Sequence, residues 1–253
     1  MNRSNEAREL LDGPLTDVAE LAANLRDMAR VNRLSGGVAL SRRAIDAVLR
    51  VGVSSGGGAD GRAGGDGSGR PIRLLDVGTG SADIPLALLD DRRRGRPLEV
   101  VAVDSRPEVV QAAEHLRPGI ATQPGLTLRV ADGRALPFED GAFDVAHTSL
   151  VLHHLDPDDA LAMLRELGRV ARVGVVVNDL ARGRARWLGA WLLLHLMTGN
   201  RLTRHDGPLS VRRAYTRDEA AELVEAAGLR IVHSEHGFLR HRWAIGAVPD
   251  GSG

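Results

Sequence analysis

The sequence predicts an α/β protein built on a mostly parallel sheet with helices on both faces. Two observations carry this. From Pro71 onward short apolar runs alternate with helical patterns, which is the signature of strands joined by crossover helices. The runs are also apolar throughout, as in "VVAV" and "VGVVV", and strands covered on both faces read that way.

Residues 15–50 read as helical, with Val18, Leu21, Leu25 and Met28 spaced by three and four, a turn at Gly36–Gly37, and then "SRRAIDAVLRVG". This gives a helical cap over 1–53. Residues 54–70, "SSGGGADGRAGGDGSGR", hold no large apolar side chain. They cannot bury enough surface to offset their ordering entropy, so the expectation is a flexible loop. The main domain spans 71–253. Its strands are expected at "IRLLDVG", "LEVVAVD", "LTLRVAD", "FDVAHTSL" and "VGVVVNDL". Helices are expected at "ADIPLALLDDRRR", at "RPEVVQAAEHLR" with Pro107 near its first turn, and from about Asp156 through Val170. Residues 183–213 break the alternation with a tryptophan- and leucine-rich lid helix and a basic loop. In "TRDEAAELVEAAGL" Thr216 and Glu219 form a capping box and Gly228 stops the helix. "RIVHSEHG" and "RHRWAIGAV" are expected to close the sheet as an antiparallel pair.

Bulk composition excludes several functions. Acids and bases balance at 33 each, so no basic field draws the chain to nucleic acid. All the basic side chains are arginine, which reads as codon usage. There is no cysteine, which removes disulfides, thiolate metal sites and cysteine nucleophiles. The N-terminus lacks the apolar core of a signal peptide, and "WLGAWLLLHLM" is too short to span a bilayer. The expectation is a cytoplasmic protein with no stable membrane insertion.

The chemistry begins at "LLDVGTGSADIP". In an open parallel sheet, ligands bind beyond the carboxyl ends of the strands, where the strand order reverses. Gly78 and Gly80 lie there and let backbone approach a ligand. A dinucleotide needs a third glycine where Asp83 stands, and an acid there repels pyrophosphate. Asp76 suits a cation instead. Asp104 ends the second strand, where an acid accepts hydrogen bonds from ribose hydroxyls. Asp132 ends the third, where it can meet an adenine amino group. Adenosine, a positive centre and no phosphate describe S-adenosyl-L-methionine. Each acid also has a plainer reading as a cap or turn residue.

Residues 72–182 resemble a class I S-adenosylmethionine-dependent methyltransferase through "LLDVGTGSAD", "VVAVDSRPEVVQAA", "ADGRALPFEDGAFDVAHTSLVLHHL" and "RELGRVARVGVVVNDL". The resemblance implies a Rossmann-like, seven-stranded, mostly parallel sheet with a reversed last strand. It implies cofactor contacts from Asp76, Gly78, Thr79, Gly80, Asp83, Asp104, Ser105, Asp132, Gly133 and Thr148. Ala82 stands where many members carry glycine. "ARVNRLSGG" is similar to the segment that lies over the cofactor in quinone-type methyltransferases.

Methyl transfer needs alignment of nucleophile, methyl and sulfur, with removal of a proton where the nucleophile carries one. His153 and His154 follow the fourth strand and Asp179 ends the fifth. They form a candidate base and its orienting partner, although a histidine here also packs or caps the next helix. No metal is expected: residues 147–149 supply no acid, and Asn178 with Asp179 offers only partial ligation. The lid suggests an apolar or aromatic substrate, with Trp191, His195, His205, Arg213 and Tyr215 as candidate contacts. Plain core packing, a homodimer interface and surface contact with a membrane are the other readings of that helix, which by sequence lacks a clean basic face. The expected function is methylation of a small hydroxylated aromatic or polyketide-like natural product at oxygen, as in secondary metabolite biosynthesis. C-methylation of a quinone precursor is the nearest rival and a macromolecular substrate the more distant one.

Overall fold

The computed structural model describes residues 1–4, 9–13, 17–55, 70–91 and 97–250. The glycine-rich run expected as a loop lies almost wholly outside the described residues. Its first two positions instead extend a helix.

Eight helices and seven strands are present among the described residues. α1 is Val18–Leu34, capped by Asp17, whose side chain accepts from the amides of Ala19 and Glu20. α2 is Gly37–Ser55. There follow β1 (Ile72–Val77), α3 (Asp83–Leu89), β2 (Leu98–Asp104), α4 (Pro107–Leu116), β3 (Leu126–Val130) and β4 (Phe143–Ser149). Then come α5 (Pro157–Val170), β5 (Ala171–Leu180), α6 (Arg184–Met197), α7 (Arg201–Arg213), α8 (Arg217–Ala226), β6 (Leu229–His236) and β7 (Arg242–Pro249).

The strands form one sheet in the order β3-β2-β1-β4-β5-β7-β6. Pairs from β3 through β5 are parallel, and β7 runs antiparallel to both β5 and β6. The chain leaves β1 in one direction to β2 and β3, then returns to place β4 on its other side. The crevice between β1 and β4 is therefore the topological switch point, where open sheets bind ligands.

One face of the sheet packs α5 and α8, with Met163, Leu164, Leu167 and Val224 against Phe143, Val175 and Trp243. The other packs α2 and α3, with Ala44, Ile45, Val48 and Ile84 against Val145, Val176 and Ala244. A smaller cluster joins Leu21, Ala22 and Leu25 of α1 to Val109 and Ala112 of α4. Within the N-terminal segment read as a cap, α2 is thus a sheet-packing helix and α1 lies beyond the strand ends.

One element differs from the sequence expectation. Residues 201–213, read as a basic loop, form α7, capped by the Asn200 side chain. The Gly207–Pro208 pair has low helix propensity. Packing overrides it: a Cβ on Gly207 would sit 2.1 Å from Leu194 of α6, so the glycine is where the two helices touch. Pro208 removes one helical amide but is itself buried.

Candidate cofactor and substrate cavity

Beyond the ends of β1, β2 and β4 lies a cavity of about 460 Å³, within the range of small-molecule sites. Its floor is the turn after β1. Gly78 (φ +70) and Gly80 (φ +53) take left-handed conformations there. A Cβ on Gly78 would lie 2.2 Å from Val151, so glycine is required by space as well as by φ. Ala82 also sits at φ +52, a conformation that favours glycine.

Asp76, Asp83 and Asp104 all line the cavity. Asp76 is held at 2.5 Å by Nδ1 of His147, directly opposite it on β4. Ser41 of α2 donates to His147 Nε2 at 2.8 Å, and Asn178 donates to Ser41 at 2.8 Å. The chain of donors fixes which His147 nitrogen carries the proton and so which way Asp76 points. Asp83 accepts from Asn32 at 2.8 Å, and buried Arg242 donates to Asn32 at 2.5 Å. Burial pushes the Arg242 guanidinium down to about 10. Asp104 accepts from the amides of Gly80 and Arg106, both at 3.2 Å. Burial raises its carboxyl above the ordinary range against the pull of those amides.

The roof is the N-terminal region. Leu21, Asn24, Leu25, Met28 and Asn32 of α1 line the cavity, with Leu11 and Asp12. Two clasps hold residues 9–13. From α7, both Asp206 oxygens accept from the amides of Leu10 (2.7 Å) and Leu11 (2.9 Å). Ser210 donates to Glu9 at 2.9 Å, and Arg213 pairs with Asp12. From the start of α4, Arg106 donates to the carbonyls of Leu11 and Gly13.

The two adjacent histidines separate. His154 lines the cavity, with Nδ1 3.4 Å from Asp12 and 3.6 Å from Glu9. His153 is buried outside the lining. Its Nδ1 donates to Asp179 at 2.7 Å and its amide donates to the other carboxylate oxygen at 3.0 Å. Burial alone would raise Asp179; the contacts with His153 and the amide of Leu180 bring it below the ordinary range. Burial pushes Glu9 up, whereas Asp12 is held down by His154 and Arg213 despite burial.

Among the described residues, Glu9, His153 and His154 are the group close enough to hold a metal, with ligand atoms within 4.8 Å of one another. The Arg213 guanidinium, in contact with Asp12 and 3.9 Å from Glu9, already supplies a positive charge there.

Several expected contacts sit elsewhere. Asp132 is exposed and tied at 2.9 Å to Arg134, outside the cavity lining. Gly133 is buried against Val77 and Met163, and Thr148 donates to the Val77 carbonyl at 3.0 Å. Thr79 and Ser105 do line the cavity. Trp191 and His195 stack on each other (ring centroids 4.6 Å apart), with Trp191 exposed, and neither reaches the cavity. His205 pairs with Asp206 at 2.7 Å. Tyr215 is buried and donates to the Leu155 carbonyl at 2.9 Å. Arg213 acts on the roof.

Sequence reasoning passed over Glu9, Asp12, His147 and Ser210. Two signals were present: "VAHTS" places a histidine on a strand beside Asp76, and Asp206, Ser210 and Arg213 share one helical face once α7 is recognised.

The strand order and the reversed last strand are those of the class I S-adenosylmethionine-dependent methyltransferase fold. The comparisons agree. Residues 75–177 match the Methyltransf_11 model, "Methyltransferase domain". The chain has this fold, and residues 75–177 are the part similar to that domain. A demethylmenaquinone methyltransferase of Roseiflexus castenholzii is 36% identical over 114 residues, 45% of this chain and 44% of that protein. A ubiquinone/menaquinone biosynthesis C-methyltransferase of Geobacter is 29% identical over 102 residues, 40% of this chain and 42% of that protein. The chain thus spans less than half the length of these curated relatives. A solved S-adenosylmethionine-dependent methyltransferase from Aquifex aeolicus shares the fold with a TM-score of 0.58 at 19% identity, covering 89% of this chain and 97% of that one.

The residues present suit that cofactor. The glycine turn leaves room for backbone approach, and the acids on the lining suit a cation and hydroxyl donors. The buried Thr79 hydroxyl, on the lining, has no partner of its own.

Proposed function

We propose that the protein methylates a small hydroxylated aromatic molecule at oxygen, with S-adenosylmethionine as donor and His154 as general base. The observation that carries this is His154 on the cavity wall with two carboxylates behind it. Bound in the cavity, the cofactor supplies an electrophilic methyl group on a positively charged sulfur. Asp104 would hold the ribose, while Asp76, Asp83 and the glycine turn would hold the amino-acid end. With Nδ1 facing Asp12 and Glu9, His154 has Nε2 free to take the proton of the substrate hydroxyl. The two carboxylates stabilise the imidazolium that results, and the proton then passes to solvent. Asp179 and His153 set the loop that presents His154. The roof of α1 and residues 9–13 excludes water.

C-methylation of a quinol is a second reading, favoured by the likeness to demethylmenaquinone methyltransferase. It too begins with loss of a hydroxyl proton. Incubation with methyl-labelled cofactor and an extract of the source cell, followed by phase separation and NMR of the product, tests both. Label in an organic-soluble O-methyl ether supports the proposal, and a ring methyl moves it to carbon. Label confined to precipitated protein or nucleic acid refutes it.

A further inference from the structure

The outer face of α6 is not used by the cavity or by the core. Of its large apolar side chains, Leu188 (56% exposed), Trp191, Leu192, Leu193, Leu196 (77% exposed) and Met197 face solvent, and Leu194 alone is buried. Leu188, Leu192 and Leu196 follow one another at four-residue spacing, one stripe along the helix. A second apolar feature lies near its start. Phe238 and Leu239 project from a turn between β6 and β7, each 77% exposed, with Leu239 and Arg240 at positive φ. The turn is fastened to the approach to α6 by the Ala181 amide, which donates to the His241 carbonyl at 2.9 Å. A run of large exposed apolar side chains along one helix marks an interaction surface in a protein of this kind.

Charge identifies the occupant. From Leu180 to His205 the chain carries five arginines (182, 184, 186, 201 and 204) and no acid. Arg184 is exposed at the start of α6. Arg204 is exposed at its end, donating to the carbonyls of His195 and Thr198. Arg240 is exposed on the turn. None of these three pairs with an acid among the described residues. A second copy placed symmetrically on this face would set the same cationic rim against itself. An anionic lipid surface satisfies both parts: acyl chains for the leucines and tryptophan, phosphate headgroups for the arginines.

We propose that the α6 face and the Phe238–Leu239 turn dock the protein on the surface of an anionic lipid bilayer. No helix of the described residues is long and apolar enough to cross a membrane, so the contact is peripheral. α7, which packs on α6, also clasps the roof of the cavity, so docking places that roof beside the lipid. The corollary that the substrate is lipid-soluble rests on the function proposed above; the docking does not.

Sedimentation of the full chain with vesicles tests this. The vesicles are phosphatidylcholine alone, or phosphatidylcholine mixed with phosphatidylglycerol. Wild type is expected to sediment with the mixed vesicles, less with phosphatidylcholine alone, and less at high salt. Leu192→Glu/Leu196→Glu should lower the partition coefficient by at least roughly tenfold, and Arg184→Glu/Arg240→Glu should remove the preference for anionic lipid. These positions are exposed, so circular dichroism and S-adenosylhomocysteine binding should be unchanged. No sedimentation with either vesicle, or equal sedimentation of the leucine variant, overturns the proposal. A dimer seen by ultracentrifugation and lost in the leucine variant, without vesicle binding, assigns the face to a second copy instead. Since the readout is lipid binding, failure here leaves the methyl-transfer reading standing, and the reverse holds too.

Discussion

Gly78→Ala perturbs the turn where sequence, backbone and cavity meet. The new Cβ would lie 2.2 Å from Val151 Cγ2, against about 3.5–4.0 Å for an ordinary carbon contact. One side must therefore move by more than an ångström. Left-handed φ adds about 1–2 kcal/mol for a residue with a Cβ, and overpacking a further 1–3 kcal/mol or so. The expected cost is about 2–5 kcal/mol. Gly80→Ala is the internal control: it also has positive φ, but its nearest neighbour would be Leu25 at 3.7 Å. It should cost only the backbone part, about 1–2 kcal/mol. Val151 lines the cavity, so its displacement should also weaken S-adenosylhomocysteine binding in Gly78→Ala by about tenfold, which is ~1.4 kcal/mol. Adding Val151→Ala should recover about 1–3 kcal/mol of stability as a coupling energy. Urea unfolding and titration calorimetry on wild type, the three single variants and the double variant read these values. Equal costs for the two alanine variants, with no recovery in the double variant, would refute the account of the turn.

The adjacent histidines should part company. His154→Ala is expected to keep the fold and the cofactor affinity while lowering kcat by roughly 10²–10⁴. His153→Ala should instead cost about 3–5 kcal/mol in unfolding, because it strands the buried Asp179 carboxylate. A pH titration should find Asp104. Its ionised form accepts the ribose hydroxyls and burial raises its pKa, so S-adenosylhomocysteine affinity should fall with falling pH from above the ordinary value of about 3.9. Asp104→Asn should flatten that fall. Protonating a carboxyl whose pKa is raised by folding favours the folded state, so this group's contribution to stability moves the opposite way. Ala82→Gly relieves a left-handed alanine and should stabilise the protein by up to about 1 kcal/mol, less the entropy that glycine adds to the unfolded chain; a destabilised variant in thermal unfolding would count against that strain.

The succession of strands and helices and the placing of Asp76, Gly78 and Asp104 at strand ends were legible because they rest on local signals. An apolar run ending in Asp76 and Gly78, or in Asp104, is read within a dozen residues. The reversed last strand was expected from the resemblance, and β7 realises it. The roof was not legible, because Glu9 and Asp12 reach His154 and Arg213 across about 140 to 200 positions, as in the Ser210–Glu9 bond. No short-range pattern encodes such contacts. Asp132 shows the opposite failure. Its position after β3 pointed to adenine, yet the guanidinium two residues on takes both its oxygens. α6 misled for a related reason: its tryptophans and leucines read as a lid over the substrate, whereas most of them face solvent.

The central claim is that the cavity at the β1–β4 switch point holds S-adenosylmethionine through the glycine turn and Asp104. Titration calorimetry of S-adenosylhomocysteine into wild type and Asp104→Ala tests it most directly. One-to-one saturable binding, weakened by about tenfold or more in the variant, as expected when a charged hydrogen-bond acceptor worth roughly 1.5–3 kcal/mol is removed, supports the claim. No binding to the folded wild type, or equal binding by both proteins, contradicts it.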